Sequence, residues 1–445
     1  MRILVVGAGE VGSSIAESLG GTHEVVIVDT DPGRVDAMTY EHDVLAIHGD
    51  GTDIDTLQEA EVKAADVVIA STDADETNLA VCGTVKTLSE AFTIARVQKL
   101  SYLETWQRSH TAFGVDFLVC TDLLTGQAIV RLIGLPTAKD VDPFVGGRVQ
   151  MAEFEVPANS PLADQSVAEA DRFEGLTFAA ILRNGDAVIP TGEDVIGAGD
   201  RVVVIGRPDS VRTFATAVTP EERVLAAEDV VIVGGSPIGY QVARLLEERD
   251  IAPRLFEADP DRARVLAERL PKTTVMEHDA TDLDFLEREH VAETDVVVAS
   301  LDSDEKTLLA ALIAKRVGVD RTVAVVDEAQ YVDLFEAVGV DVAVNPREVT
   351  AEEITRFTRE RRAENVAILE SGAAEVIELE VAGDSLLANR AIRDVVTDFP
   401  SGVVVGAITR DGAFVTPRGD TVVEPGDHVV LFVREASMPD VMGDL

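Results

Sequence analysis

The sequence predicts an α/β fold written twice, each copy a doubly wound parallel-sheet domain followed by a small α+β module. Three observations carry this. A β-branched run, Arg2-Ile3-Leu4-Val5-Val6, opens directly onto Gly7, Gly9 and Gly12, as a buried parallel strand does when it turns at once into a helix. Apolar runs then alternate with helical stretches, ending near Gly7, Asp29, His48, Ala70, Arg96 and Val119. Finally, the opening block returns in the second half, with the order of its parts preserved.

The first strand and its glycines set the chemistry expected of the domain. Gly7 allows a tight turn, Gly9 lets backbone approach a pyrophosphate, and Gly12 lets the helix lie close to the strand. Gly7, Ala8, Gly9, Glu10 and Val11 would form the phosphate loop, with the partial positive charge of a helix N-terminus aimed at the ligand. The second apolar run ends in Asp29, about 20 residues on, where a carboxylate accepts ribose hydroxyls and repels a 2′-phosphate, favouring NAD over NADP. Asp50, after the third strand, either borders the adenine or makes a simple turn. Ser71, Thr72 and Asp73 close the fourth strand over the central crevice. Arg96 ends the fifth, where its planar fork suits a phosphate or an internal ion pair with Asp73 or Asp75.

The second copy starts at Val230-Val231-Ile232-Val233 and continues through Gly234, Gly235, Ser236, Pro237, Ile238 and Gly239, with Glu257 in the place of the ribose acid. Asp279 answers Asp50, and Asp302 answers Asp73 after the same step along the chain. Ser236 replaces the middle glycine and Val325 stands where Arg96 would fall, so two unequal sites are expected, the first binding more tightly or taking the more highly charged nucleotide.

A smaller repeated module follows each copy. Asn184-Gly185 and Asp411-Gly412 are two-residue hairpin signals, and Gly199-Asp200 and Gly426-Asp427 each launch a final strand. The boundaries expected are 1–135 and 228–346 for the large domains, and 140–222 and 365–445 for the small ones. Joints are expected around Gly134-Leu135-Pro136 and Thr219-Pro220-Glu221-Glu222, and the charged stretch Glu352 to Glu364 reads as a solvated crossover helix.

Composition narrows the function. The chain has 445 residues, 38 basic against 81 acidic, and a net charge of −43 spread along its length. Such a field repels nucleic acid and anionic lipid. Only seven of the basic residues are lysine, and an acid-rich, lysine-poor surface suits a halophilic cytosol, where the Debye length falls to about 3 Å. Cys82 and Cys120 are the only cysteines, which argues against a disulfide framework and for a reducing compartment. No apolar run approaches the ~20 residues that span a bilayer, and the first strand begins at once, so direct membrane insertion and a signal peptide are not expected. Metal-ligand spacing is absent, no Walker lysine follows the glycines, and the small modules share no acid/base constellation. The expectation is a binding protein, not an enzyme. An NAD-dependent oxidoreductase with substrate held by the small domains is the alternative.

With these residues in view, the sequence resembles the regulator of conductance of potassium (RCK) family, and among its tandem-copy members the TrkA regulatory subunits of Trk potassium-uptake systems. The resemblance rests on Gly7 to Gly12, Val28-Asp29-Thr30-Asp31, Thr72-Asp73-Ala74-Asp75-Glu76-Thr77-Asn78, Ile94-Ala95-Arg96, and the Arg-x-Gly, Pro and Gly-Asp signature of each small module. It implies a cytoplasmic homotetramer, peripheral to the inner face of the cell membrane through a membrane-embedded potassium-translocating subunit of Trk type. NAD(H) or ATP/ADP would shift a ring of large domains to open or close the potassium path. The contacts it implies are Gly7 to Val11, Asp29, Thr72, Asp73 and Arg96, and in the second copy Gly234 to Ile238, Glu257, Leu301 and Asp302. A regulatory ring of a potassium channel or antiporter is compatible with the same residues.

Overall fold

The structure is a computed structural model and describes the chain except residues 22, 42–43, 110–111, 136, 184–185, 219–226, 360–364, 369–373, 384, 397–401, 435–436, 438–440 and 442–445. The Asn184-Gly185 turn, Pro136, the joint at Thr219 to Glu222 and the end of the charged stretch at Glu364 therefore lie outside the described residues. The first large domain alternates β1 (Arg2–Val6), α1 (Glu10–Gly20), β2 (Glu24–Asp29), α2 (Pro32–Glu41), β3 (Leu45–His48), α3 (Ile54–Glu59), β4 (Val67–Ala70), α4 (Asp75–Leu88), β5 (Phe92–Val97), α5 (Leu100–Arg108) and β6 (Phe117–Cys120), before α6 (Thr121–Gly134) leaves it. The first small module contains β7 (Asp140–Phe144), β8 (Val149–Glu155), α7 (Val167–Ala170), β9 (Leu176–Arg183), β10 (Asp186–Val188), β11 (Arg201–Gly206) and α8 (Pro208–Val218).

The second large domain runs through β12 (Val230–Val233), α9 (Pro237–Glu248), β13 (Arg254–Glu257), α10 (Pro260–Arg269), β14 (Thr274–Glu277), α11 (Leu283–Arg288), β15 (Val296–Ala299), α12 (Asp304–Val317), β16 (Arg321–Val325), α13 (Val332–Ala337) and β17 (Val342–Val344), followed by α14 (Pro346–Arg359). The second small module has β18 (Asn365–Ile368), β19 (Ala374–Glu380), β20 (Arg390–Ala391), α15 (Ile392–Val396), β21 (Val403–Arg410), β22 (Ala413–Val415), β23 (Val422–Val423) and β24 (His428–Arg434).

Both large sheets are parallel, in the orders β3-β2-β1-β4-β5-β6 and β14-β13-β12-β15-β16-β17. The chain reverses direction across the sheet between β1 and β4, and between β12 and β15, which is where a doubly wound fold leaves its crevice. The central strands β1, β4, β12 and β15 are continuous apolar runs because both faces are covered. Ile3 and Val5 pack with Val11, Ile15 and Leu19 on one side, and Leu4 and Val6 pack with Val81, Cys82 and Val85 on the other.

The small-module sheets are antiparallel where their strands pair, in the orders β10-β9-β11-β8-β7 and β18-β19-β24-β21-β22. Asp411 and Gly412 take φ of 49° and 79°, the left-handed pair that a two-residue hairpin requires. Arg183 forks onto Asp200 (2.8 and 2.6 Å) and Arg410 onto Asp427 (2.8 and 2.8 Å). That is the physical content of the repeated Arg and Gly-Asp signature: a bidentate bond ties the hairpin to the turn before the last strand.

One feature goes beyond the sequence expectation and a second departs from it. The chain forms two compact units, one of residues 1–130 with 228–358 and the other of 131–227 with 359–445, so large pairs with large and small with small. The helix α14 is a crossover helix but is not solvated throughout: Ala351 and Ile354 are buried in the core of the first large domain, and Phe357 stacks on Phe117 at 3.8 Å between ring centroids. In return α6 reaches the second domain, where a Cβ on Gly126 would lie 2.9 Å from the Cβ of Gln241 and where Arg249 donates to the Val130 carbonyl. Among its described residues Glu352 is exposed, whereas Ala351, Ile354, Thr355 and Thr358 are buried.

Candidate nucleotide site

A cleft of about 480 Å³ opens at the carboxyl ends of β1 and β4. Gly7 stands at its floor with φ +107°, and a Cβ there would come within 2.9 Å of the Thr72 amide nitrogen, so only glycine fits where these two segments cross. Gly12 lies beneath, where a Cβ would collide with the Gly7 carbonyl oxygen. Gly9 is the N-cap residue of α1 and supplies no side-chain hydrogen bond to it. The helix therefore presents its first amides and its partial positive charge to the cleft.

Asp29 is buried at the tip of β2. One carboxylate oxygen accepts from the Ala8 amide (2.6 Å) and the other from the Asp31 amide (2.8 Å), which fixes the carboxylate on the phosphate loop. An oxygen holding one such bond can accept another, from a ribose hydroxyl. Asp50 accepts from the Thr52 amide and hydroxyl, bonds that hold its carboxyl below the ordinary range. It makes the turn and lines the cleft as well.

Asn78, fully buried, clamps the ends of β4 and β5: its side-chain amide donates to the carbonyls of Thr72 and Arg96, and its oxygen accepts from the Thr72 amide. Arg96, 3% exposed, donates to Asp73 (3.1 Å) and to the Thr121 hydroxyl (3.2 Å). The internal ion pair is thus the arrangement present, with Asp73 as its partner. Asp75 instead accepts from the Gln98 and Lys99 amides. The cleft brings together Gly7, Gly9, Glu10, Val11, Asp29, Asp50, Thr72, Asp73 and Arg96, while Ala8 and Gly12 support it from beneath. Two further cations border it, Arg34 and Arg347. Sequence reading missed both. Arg34 carried a usable signal, because Arg262 follows Glu257 at the same interval; Arg347 carried none.

The second copy keeps the frame and changes the mouth. Glu257 accepts from the Gly235 and Asp259 amides, as Asp29 does in the first, and Asp279 repeats the turn on Thr281. Ser236, however, caps α9 through its hydroxyl to the Gly239 amide, and Pro237 is the first helical residue. One amide is thereby occupied and another is missing. Arg262 donates to the Gly235 carbonyl. The Leu301 side chain crowds the turn at Gly234, leaving no room for a Cβ (2.8 Å). Ile238 is buried in the first turn of the helix and Asp302 is exposed after β15.

The lining of the first cleft is made of loop amides, carboxylates and guanidinium groups, and among the described residues it holds no His, Cys or Lys. Among those residues, too, no helix is long and apolar enough to cross a membrane. Fold and cleft together define a tandem Rossmann-like protein with an α+β companion to each copy. Its halves match the TrkA-N domain over 3–120 and 230–346 and the TrkA-C domain over 151–219 and 376–442. The chain belongs to the TrkA family. It is 36% identical to the Trk system potassium uptake protein TrkA homolog of Archaeoglobus fulgidus, covering 98% of this chain and 97% of the relative. It is 34% identical to the TrkA protein of Halomonas elongata, covering 97% and 96%. Among solved structures it shares the fold of the GsuK RCK domain (TM-score 0.60, 20% identity, 99% and 94% covered) and of the GsuK channel bound to NAD (TM-score 0.60, 19% identity, 100% and 78% covered).

Proposed function

We propose that this chain is the nucleotide-sensing regulatory subunit of a potassium uptake system. One observation carries the reading: at the switch point of the first sheet, an uncapped helix N-terminus and an amide-anchored carboxylate flank one cleft, in a chain similar along nearly its whole length to Trk potassium uptake proteins. Gly7 to Val11 would take the phosphates, Asp29 the ribose, and Thr72, Asp73 and Arg96 the part of the ligand lying over β4 and β5. NAD(H) is the first ligand, and ATP or ADP the second. The second cleft, through Gly234 to Ile238, Glu257, Leu301 and Asp302, would bind more weakly. Binding would act by favouring one of two conformations of the assembly, with no bond made or broken. The assembly is a homotetramer on the cytoplasmic face of the membrane, held there by a Trk-type potassium-translocating partner.

Titration calorimetry of the full chain with NADH, NAD, ATP and ADP tests this. Asp29→Ala is expected to weaken all four by about tenfold or more, and Arg96→Ala to weaken ATP most. A wild-type chain that binds none of them, or that transfers hydride to a carbonyl, would sink the proposal.

A further inference from the structure

Arg347 sits in the first turn of α14, directly after the last strand of the second parallel sheet, yet it borders the cleft of the first. Its Nη1 lies 2.9 Å from the Glu10 carboxylate and donates to the Asp327 carbonyl at 2.6 Å. Glu10 is the first residue of α1, on the phosphate loop, whereas Asp327 follows β16 in the other half of the chain. One guanidinium thus bridges the two large domains at the edge of a candidate phosphate site. Among the described residues its side-chain bonds both run through Nη1, which leaves the Nε and Nη2 edge, the edge that donates two parallel bonds to an oxyanion.

The surroundings add to this. An acid at a helix N-terminus is favourable for the reason that a phosphate there is favourable, so Glu10 occupies the electrostatic position a nucleotide phosphate would take. Two anions cannot share it without repulsion. A phosphate arriving at the Gly9 amide would push Glu10 aside and compete for its cation. The first half of the chain offers no equivalent cation at the matching position. The matching residue, second in the crossing helix α6, is Asp122, of opposite charge.

We propose that Arg347 is a phosphate-reading residue of the first cleft, delivered by the second half of the chain, and that an incoming nucleotide exchanges its phosphate for Glu10 on this guanidinium. The inference rests on the nucleotide-binding reading above. It names the class of ligand that benefits most, a nucleoside polyphosphate, whose terminal phosphate carries more charge than either phosphate of a dinucleotide. It also makes α14, which joins the second large domain to the second small module, the element that feels the exchange.

Calorimetry on the full chain at one salt concentration, with ATP, ADP and NADH, tests it on Arg347→Gln, Arg347→Lys, Glu10→Gln and Asp29→Ala. Arg347→Gln is expected to weaken ATP by about tenfold or more and NADH by less than about threefold, and Arg347→Lys to recover part of the loss because a point charge replaces a fork. Glu10→Gln is expected to tighten ATP, which a purely structural Arg347–Glu10 pair would not do. Thermal melts exclude a folding defect, and if Arg347→Gln is unstable the Lys and Glu10 variants carry the test. Equal ATP affinity in wild type and Arg347→Gln, or an equal loss for ATP and NADH, overturns the inference while Asp29→Ala still weakens all of the nucleotides. A wild type that binds no nucleotide overturns the underlying reading instead.

Discussion

Asp122 lies where three charges converge. Burial, reinforced by Asp75 and opposed by Arg96, pushes its carboxyl from 3.8 up to about 6. Between these values the folded chain keeps a proton that the unfolded chain has released. Stability therefore falls as pH rises through that window, and the penalty is complete above it. Asp122→Asn is expected to be more stable than wild type by about 1–2 kcal/mol at pH 7.5, with the gap closing near pH 4. Chemical denaturation of both proteins at the two pH values checks this, and an unchanged gap refutes the assignment. At this scale the sequence was informative wherever one residue type answers one geometric demand. Gly7, Gly12 and Asp29 were legible because only glycine tolerates the turn and an acid at that spacing reaches the loop. Arg96 was legible only as a choice, since phosphate and Asp73 present similar partners to a guanidinium. Arg347 was not legible, because its distance in sequence from Glu10 hides their contact.

At the scale of elements, the central strands declared themselves through apolar runs buried on both faces, and the replacement of the middle glycine by Ser236 could be read directly, though not the helix cap that its hydroxyl makes. The crossing helices could not. A charged stretch with scattered Ala, Ile and Thr looks solvated until its inner face is paired with a surface, and that surface lies in the other half of the chain. Ile354 is fully buried within the core of the first large domain. Ile354→Ala is expected to cost about 2–5 kcal/mol, the usual range for emptying a packed aliphatic site. It should also speed hydrogen exchange in the amides of β5 and β6, which lie beside Phe357 through Phe92 and Phe117. A cost below about 1 kcal/mol, as at a surface position, would mean that the helix contributes little to the first domain.

At the scale of the whole molecule, the duplication was readable because four blocks recur in order, whereas the pairing of large with large and small with small required coordinates. Charge belongs to this scale too. With a net −43, self-repulsion is screened only when the Debye length approaches about 3 Å. The melting temperature is expected to fall by about 10 °C or more on transfer from molar KCl to tens of millimolar salt. Scanning calorimetry at the two salt concentrations measures it, and an unchanged transition removes the halophilic reading.

The exchange of α6 and α14 carries one more consequence. Each helix fills a groove in the other half, so a half-length chain would leave that groove bare until a twin arrived. The full chain is in effect a dimer with its subunits tethered. Identical twins must carry identical pockets, but tethered ones are free to diverge, and Arg347 facing one pocket while its counterpart is Asp122 is divergence of that kind.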